Sequence, residues 1–187
     1  MSTVTAANIV LGPATVYVGA FEAAEPADTD VGSAPSSAAW TDIGATEGGV
    51  KVTVKDTTTQ IVVDQINDPV GSRVTGRECT FETTMSETTL ANLMYALNDG
   101  TAGSGSGYTS FEPSTADSST TPTYRALIID GPAPGSNKNR RVIIRKVLSV
   151  DGIEMEWKKD GQAGYKVKWL AHYVSTATKP WKWVDET

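Results

Sequence analysis

The 187 residues carry 16 lysines and arginines against 22 aspartates and glutamates, a net charge of −6, with one histidine and one cysteine. That balance argues against a free-standing binder of nucleic acid or of an anionic membrane, each of which needs concentrated positive charge. Cys79 alone forms no internal disulfide, and Cys79 with His172 is too small a set for a Cys/His zinc site, so no metal or cofactor is expected. No apolar run approaches the ~20 residues of a membrane span, and Met1-Ser2-Thr3-Val4-Thr5 lacks the basic region and apolar core of a signal peptide. The expectation is one soluble domain, folded in the cytoplasm, whose 17 glycines and 9 prolines favour turns and strands.

In chain order, an N-terminal arm (1–12) precedes a strand at 14–19, where Val16 and Val18 share a face. Residues 22–39 read as an acidic loop (Glu22, Glu25, Asp28, Asp30), Trp40 to Ile43 as extended chain, and Gly48-Gly49 as a sharp turn. Val50, Val52 and Val54 then alternate with Lys51, Thr53 and Lys55, the period of a half-buried strand. Asp56-Thr57-Thr58 is the predicted turn into a second strand through Ile61-Val62-Val63, giving a long hairpin over 50–65. Beyond Asn67-Asp68-Pro69 the chain is extended again, with Cys79, Phe81 and Met85 on one face and Glu78, Thr80, Glu82 and Thr84 on the other.

One helix is predicted over about 86–98, with Ser86 as N-cap and Leu90, Leu93, Met94 and Leu97 as its apolar stripe. Residues 99–123 read as a flexible Gly/Ser/Thr surface loop. Four strands follow, at about 123–130, 140–149, 152–158 and 164–174. Asp151-Gly152 signals a hairpin, and Ile153, Met155 and Trp157 alternate with Glu154, Glu156 and Lys158. A C-terminal arm (175–187) carries Trp181 and Trp183. The fold class is mainly β (α+β): a β-sandwich or small barrel with one flanking helix and long loops, a single domain over 1–187.

Catalytic chemistry is scarce. His172 falls mid-strand, and Cys79 lies beside Glu78, which raises a thiol's pKa rather than activating it. Glu154 and Glu156 share a face, yet no third group supports a carboxylate pair. Gly103-Ser104-Gly105-Ser106-Gly107 lacks the lysine and order of a phosphate loop, and the acidic loop lacks calcium-ligand spacing. No catalytic residue is assigned. The basic cluster Lys138, Arg140, Arg141, Arg145 and Lys146 splits between two strand faces, which favours salt bridges to acidic residues of neighbouring subunits over one nucleic-acid footprint.

The segments Gly48-Gly49-Val50-Lys51-Val52-Thr53-Val54, Ile61-Val62-Val63-Asp64-Gln65, Val74-Thr75-Gly76-Arg77-Glu78 and Ser86-Glu87-Thr88-Thr89-Leu90-Ala91-Asn92-Leu93 carry the resemblance. Together, over about residues 40–98, they resemble the major tail (tail tube) proteins of long, flexible-tailed bacteriophages. The resemblance implies a structural virion protein, assembled in the host cytoplasm into hexameric rings that stack into a tube conducting DNA. With four strands per subunit, about 24 strands at ~4.8 Å spacing and ~40° tilt close to a diameter of about 48 Å, wide enough for a duplex. Implied partners are other copies of the chain, a tape measure protein, and tail terminator or tail tip proteins, with double-stranded DNA in transient passage and no membrane.

A wall that passes DNA without holding it is expected to be acidic or neutral, so Glu78, Thr80, Glu82 and Thr84 are the expected lumen-facing residues. Lys51 and Lys55 depart from that pattern if their face lines the channel. Lys51, Lys55, Asp64, Arg140, Arg141, Arg145, Trp181 and Trp183 are the expected subunit or ring contacts, together with the long hairpin around 50–65, the loop at 22–39 and the N-terminal arm. Two other readings are a tube or tail-completion component of a related phage or contractile injection machine, and a carbohydrate- or surface-binding sandwich using Trp157, Trp169 and Trp181.

Overall fold

The computed structural model describes residues 4–98, 100–113 and 121–187. Ten strands and one α-helix succeed one another as β1 (Thr15–Ala20), β2 (Trp40–Asp42), β3 (Thr46–Val63), β4 (Ile66–Met85), α1 (Leu90–Leu97), β5 (Thr101–Gly105), β6 (Tyr108–Glu112), β7 (Arg125–Pro132), β8 (Asn139–Ser149), β9 (Tyr165–Ala171) and β10 (Trp181–Asp185). All pairings are antiparallel, in the order β2-β1-β7-β8-β9-β4-β3, with β10 also on β8 and β5-β6 as a separate hairpin. The eleven-residue β8 is the spine. It pairs with β7 along most of its length, and its other neighbours are β10 at residues 140–144 and β9 at 147–149.

The sheet folds over along β8, so both halves bury their inner faces in one core, as in a β-sandwich. Val16 and Val18 of β1, Leu127 and Ile129 of β7, and Val142 and Ile144 of β8 meet Phe81 and Met85 of β4 and Tyr165, Val167 and Trp169 of β9. Phe81 and Trp169, directly opposed in register, stack with centroids 5.3 Å apart. The period-two patterns of β1 and the end of β4 therefore predict the buried face, and in β9 Tyr165, Val167 and Trp169 alternate inward in the same way. Tyr173 falls beyond β9 and is exposed.

Three local expectations are corrected. Gly48 and Gly49, with φ of 72° and 81°, form no turn; they make a bulge inside β3, where the partner of Glu47 is Thr84 and that of Val50 is Thr83. Asp56-Thr57-Thr58 is not a turn either. β3 runs through it, with only a register shift opposite Thr75, and the chain reverses at Asp64-Gln65 instead. The hairpin consequently spans 46–85 rather than 50–65, and Asn67-Asp68-Pro69 belongs to its returning strand.

The helix is shorter than the sequence suggests. Thr89, not Ser86, caps it, its hydroxyl accepting from the Asn92 amide, and Asn98 ends it in the left-handed conformation with φ 57°. The buried side of α1 is Asn92 and Ala96, while Leu97 is exposed. Asn92 is turned inward because its side-chain amide donates to the carbonyls of Ile43 (2.9 Å) and Glu87 (2.8 Å). Replacing Asn92 by Ala is expected to cost about 1–3 kcal/mol, the penalty for a buried acceptor left alone; urea denaturation measures it.

Finally, residues 152–158 are not a strand: within the loop between β8 and β9 the only ladder contact is the bridge between Lys158 and Gly161. Within the predicted loop 99–123 the described residues form β5-β6, while Asp99 and residues 114–120 lie outside the described residues.

Candidate assembly surfaces

The longest feature of the molecule projects from it. From Thr53 to Arg77 the ribbon β3-β4 pairs with no third strand, since β9 reaches only Thr80–Met85 of β4. Both of its faces are open to solvent, and towards its tip it presents Ile61, Val62, Val63, Ile66, Val70 and Val74, all exposed. Asp64 sits at the tip itself. A two-stranded ribbon is marginal alone in water, so the cross-strand pairs along it matter. Arg77 grips Asp56 with two hydrogen bonds (2.6 and 3.1 Å), which holds that carboxyl below its usual range, and Thr59 meets Thr75.

At the ribbon's base the outer face of β3, β4 and β9 is a ladder of charges. Lys51 lies opposite Glu82 and Lys55 opposite Glu78, while across β4 Glu82 faces Lys168 and Thr84 faces Lys166. Glu82 is shared between Lys51 (3.4 Å) and Lys168 (3.5 Å). Glu78, Glu82 and Thr84 do share an accessible face, as the alternation predicts, but Thr80 is buried beneath its neighbours, 5% exposed. The face is also not acidic: Lys51, Lys55, Lys166 and Lys168 stand among its glutamates, and directly opposed residues necessarily share a face. This face is mixed and charge-compensated rather than acidic.

The basic cluster behaves differently from its expectation. Arg141 is 1% exposed, its guanidinium donating to both carboxylate oxygens of Asp130 (2.7 and 2.6 Å) and to the carbonyls of Ser33 and Asp30. Arg145 forks onto Glu25, Arg140 onto Asp185, and Lys182 holds Asp28. The arginines of β8 are thus matched within one chain, by Glu25 of the acidic loop, Asp130 of β7 and Asp185 of β10. Arg141 is removed from any contact surface by burial, and Arg140 and Arg145 reach solvent with their charge already matched.

The C-terminal arm is likewise docked: β10 pairs with β8, Trp181 packs against the core, and Trp183 remains half exposed under the Arg140 guanidinium, 5.4 Å from its ring centroid. Trp157 is exposed and Trp169 buried, so the three tryptophans of the carbohydrate-platform reading share no surface. That reading is set aside.

No group of three or more metal-ligating side chains occurs among the described residues. Burial raises the Cys79 thiol's pKa. A cavity of about 390 Å³ beside Trp40 and Ile143 is lined by Glu22, Glu25 and Arg145, the last two joined in a mutual pair. His172 packs edge-on to Tyr124, whose other neighbour is the Lys146 ammonium (4.2 Å from the ring centroid), and its Nε2 is buried without a partner.

Burial first, then the Lys146 charge, lowers the His172 pKa below its ordinary 6.5. The unfolded chain therefore binds this proton more readily, and stability is expected to fall as pH drops below about 6.5. Comparing urea midpoints at neutral and mildly acidic pH tests this: His172→Phe should lose that part of the slope.

Across the described residues, then, the molecule is an antiparallel β-sandwich with a projecting ribbon and no convergent cluster of reactive side chains. The family model described as phage tail tube protein matches residues 1–187, and the chain belongs to that family. Among curated proteins, none matches. Members of the family are structural components of the virion tail that self-assemble into a tube, which agrees with surfaces built for packing rather than for chemistry.

Proposed function

We propose that the chain is the major tail tube subunit of a long, flexible-tailed phage, forming hexameric rings that stack into a tube through which double-stranded DNA passes into the host cell. The observation that carries this reading is the β3-β4 ribbon, whose exposed apolar tip has no partner in its own chain among the described residues. Apolar surface of that extent is costly on a monomer and ordinary at an interface. Head-to-tail contacts between identical subunits close into rings or run on as filaments, and the ribbon supplies such a contact.

Within this reading 1–187 acts as one tail-tube domain, with Lys51, Lys55, Asp64 and Trp183 at subunit or ring contacts. Glu78, Glu82 and Thr84 line the lumen with lysines interleaved. A compensated wall offers a passing phosphate chain no net counter-charge to release ions against, so DNA slides without being held. Assembly would take place in the host cytoplasm around a tape measure protein, between tail tip and tail terminator proteins. Sedimentation velocity over a range of concentrations tests the reading: the protein should move from subunit to ring-sized and larger species. A single subunit-sized boundary at every concentration would refute it.

A further inference from the structure

The loop between β8 and β9 retains the sequence pattern of a strand without being one. Ile153 and Met155 are half-buried against the core, while Glu154 and Glu156 between them are exposed. Its path is also that of a strand. Leaving β8, Ser149 stands opposite Trp169 and the Val150 amide donates to the Lys168 carbonyl (2.9 Å). At the far end Lys158 bridges Gly161 antiparallel, a shift of one residue from the same register. In that register residues 150–153 start along β9 as an antiparallel neighbour and 154–158 continue opposite the chain that leads into it, with the ladder left unmade. Alternation then places Glu154 and Glu156 on the outer face of the sheet, Glu154 beside Lys166 and Glu156 beside Lys158.

The opposite edge of this half of the sheet is β3, which pairs only with β4. Its outer face there carries Lys51, Thr53 and Lys55, all exposed. One edge offers two lysines and the other two glutamates, on the same face of the same sheet. The strand directions alternate across it, so β3 of one copy would meet the 152–158 segment of the next antiparallel.

We infer that residues 152–158 are a latent strand that completes its pairing only when the β3 edge of a second copy adds to it, Lys51 and Lys55 meeting Glu154 and Glu156. This rests on the tube reading and names the contact within a ring. Each copy uses both edges, so the contact is head-to-tail and ring-closing. It covers two strand edges that would otherwise be templates for uncontrolled pairing. It also buries Trp157, 77% exposed at the end of the segment and next in alternation after Ile153 and Met155. The intrachain pairs Lys51–Glu82 and Glu156–Lys158 are solvent-exposed and worth little, so re-pairing is not opposed.

The test uses two full-length variants, E154K/E156K and K51E/K55E. Alone, each places like charges across every contact, and the concentration for half-assembly should rise roughly tenfold or more over that of the unaltered protein. Mixed in equal amounts they should co-assemble, because alternating copies restore opposite charges at every contact of an even-membered ring. Recovery by mixing also shows that both variants are folded.

Hydrogen exchange gives an independent reading: the amides of 153–158 should be fast in the subunit and slow in the assembly. Variants that each assemble like the unaltered protein, a mixture that recovers nothing, or unprotected 153–158 amides in the assembly would each overturn the inference while leaving the tube reading intact. An unaltered protein that never assembles would overturn both.

Discussion

Replacing Ile61, Val62 and Ile66 together by serine is expected to abolish assembly at concentrations where the unaltered protein forms tubes, while leaving the subunit as stable as before. All three are exposed on the ribbon tip, 49%, 68% and 53% respectively, and none contributes to the core. Surface changes of that kind alter folding stability by only about 0.5 kcal/mol. Burial against a neighbour is another matter. At about 1.5–3 kcal/mol for a fully buried Val or Ile, even partial burial of three such residues sums to roughly 3–5 kcal/mol. That corresponds to a weakening of association by about a hundredfold or more. Turbidity or sedimentation across a dilution series measures it, with urea denaturation as the control. Assembly of the triple variant at the unaltered protein's own concentration would remove the ribbon tip from the interface.

The largest effect on folding is expected at Arg141. Its guanidinium is buried and holds Asp130 with two short hydrogen bonds while pinning the acidic loop through the carbonyls of Asp30 and Ser33. Arg141→Met leaves the Asp130 carboxylate, itself largely covered, without its counter-charge. Breaking a buried pair from one side costs about 3–5 kcal/mol. For a domain of this size that lowers the melting temperature by about 10 °C. The double variant Arg141→Met/Asp130→Leu should regain part of the loss, because it removes the stranded charge along with its partner. Release of loop 22–39 should persist in both, readable as faster proteolysis near Asp30. A melting temperature unchanged in Arg141→Met would show that the pair carries no net stability.

How much of this was legible in the sequence depended on whether a segment borders the core. The strands around Val16, Phe81 and Trp169 announce themselves because burial on one face imposes a period of two. The ribbon between Thr53 and Arg77 has no such constraint: both faces see solvent, so polar and apolar residues mix, and Asp56-Thr57-Thr58 looks like a turn although β3 runs through it. The helix is legible, and Leu93 of its stripe packs against the core, but the inward turn of Asn92 is not, since it rests on hydrogen bonds to Glu87 and to Ile43, the latter far back in the chain.

The arginines failed for the same reason on a larger scale. Arg145 meets Glu25 and Arg141 meets Ser33 across more than a hundred residues, a proximity that only the topology creates. The converse case is residues 152–158, whose strand pattern was plain although an isolated chain leaves it unpaired. A pattern without its ladder in one copy is what an inter-subunit strand would leave behind.

The mixed charge of the outer face also revises what the net charge of −6 means. Asp185, Glu25 and Asp28 are paired inside the chain with Arg140, Arg145 and Lys182, pairs that leave the excess itself unchanged, and that excess is not displayed on one wall. The wall proposed for the lumen is near balance, with Lys51, Lys55, Lys166 and Lys168 beside Glu78, Glu82, Glu154 and Glu156.

Electron cryo-microscopy of the concentrated, unaltered protein tests the central claim most directly. The account predicts rings of six copies, stacked or separate, whose lumen is bounded by the Lys51–Glu82–Lys168 face and is wide enough for duplex DNA. Fields containing only isolated subunits, or an assembly that turns this face outward, would contradict it.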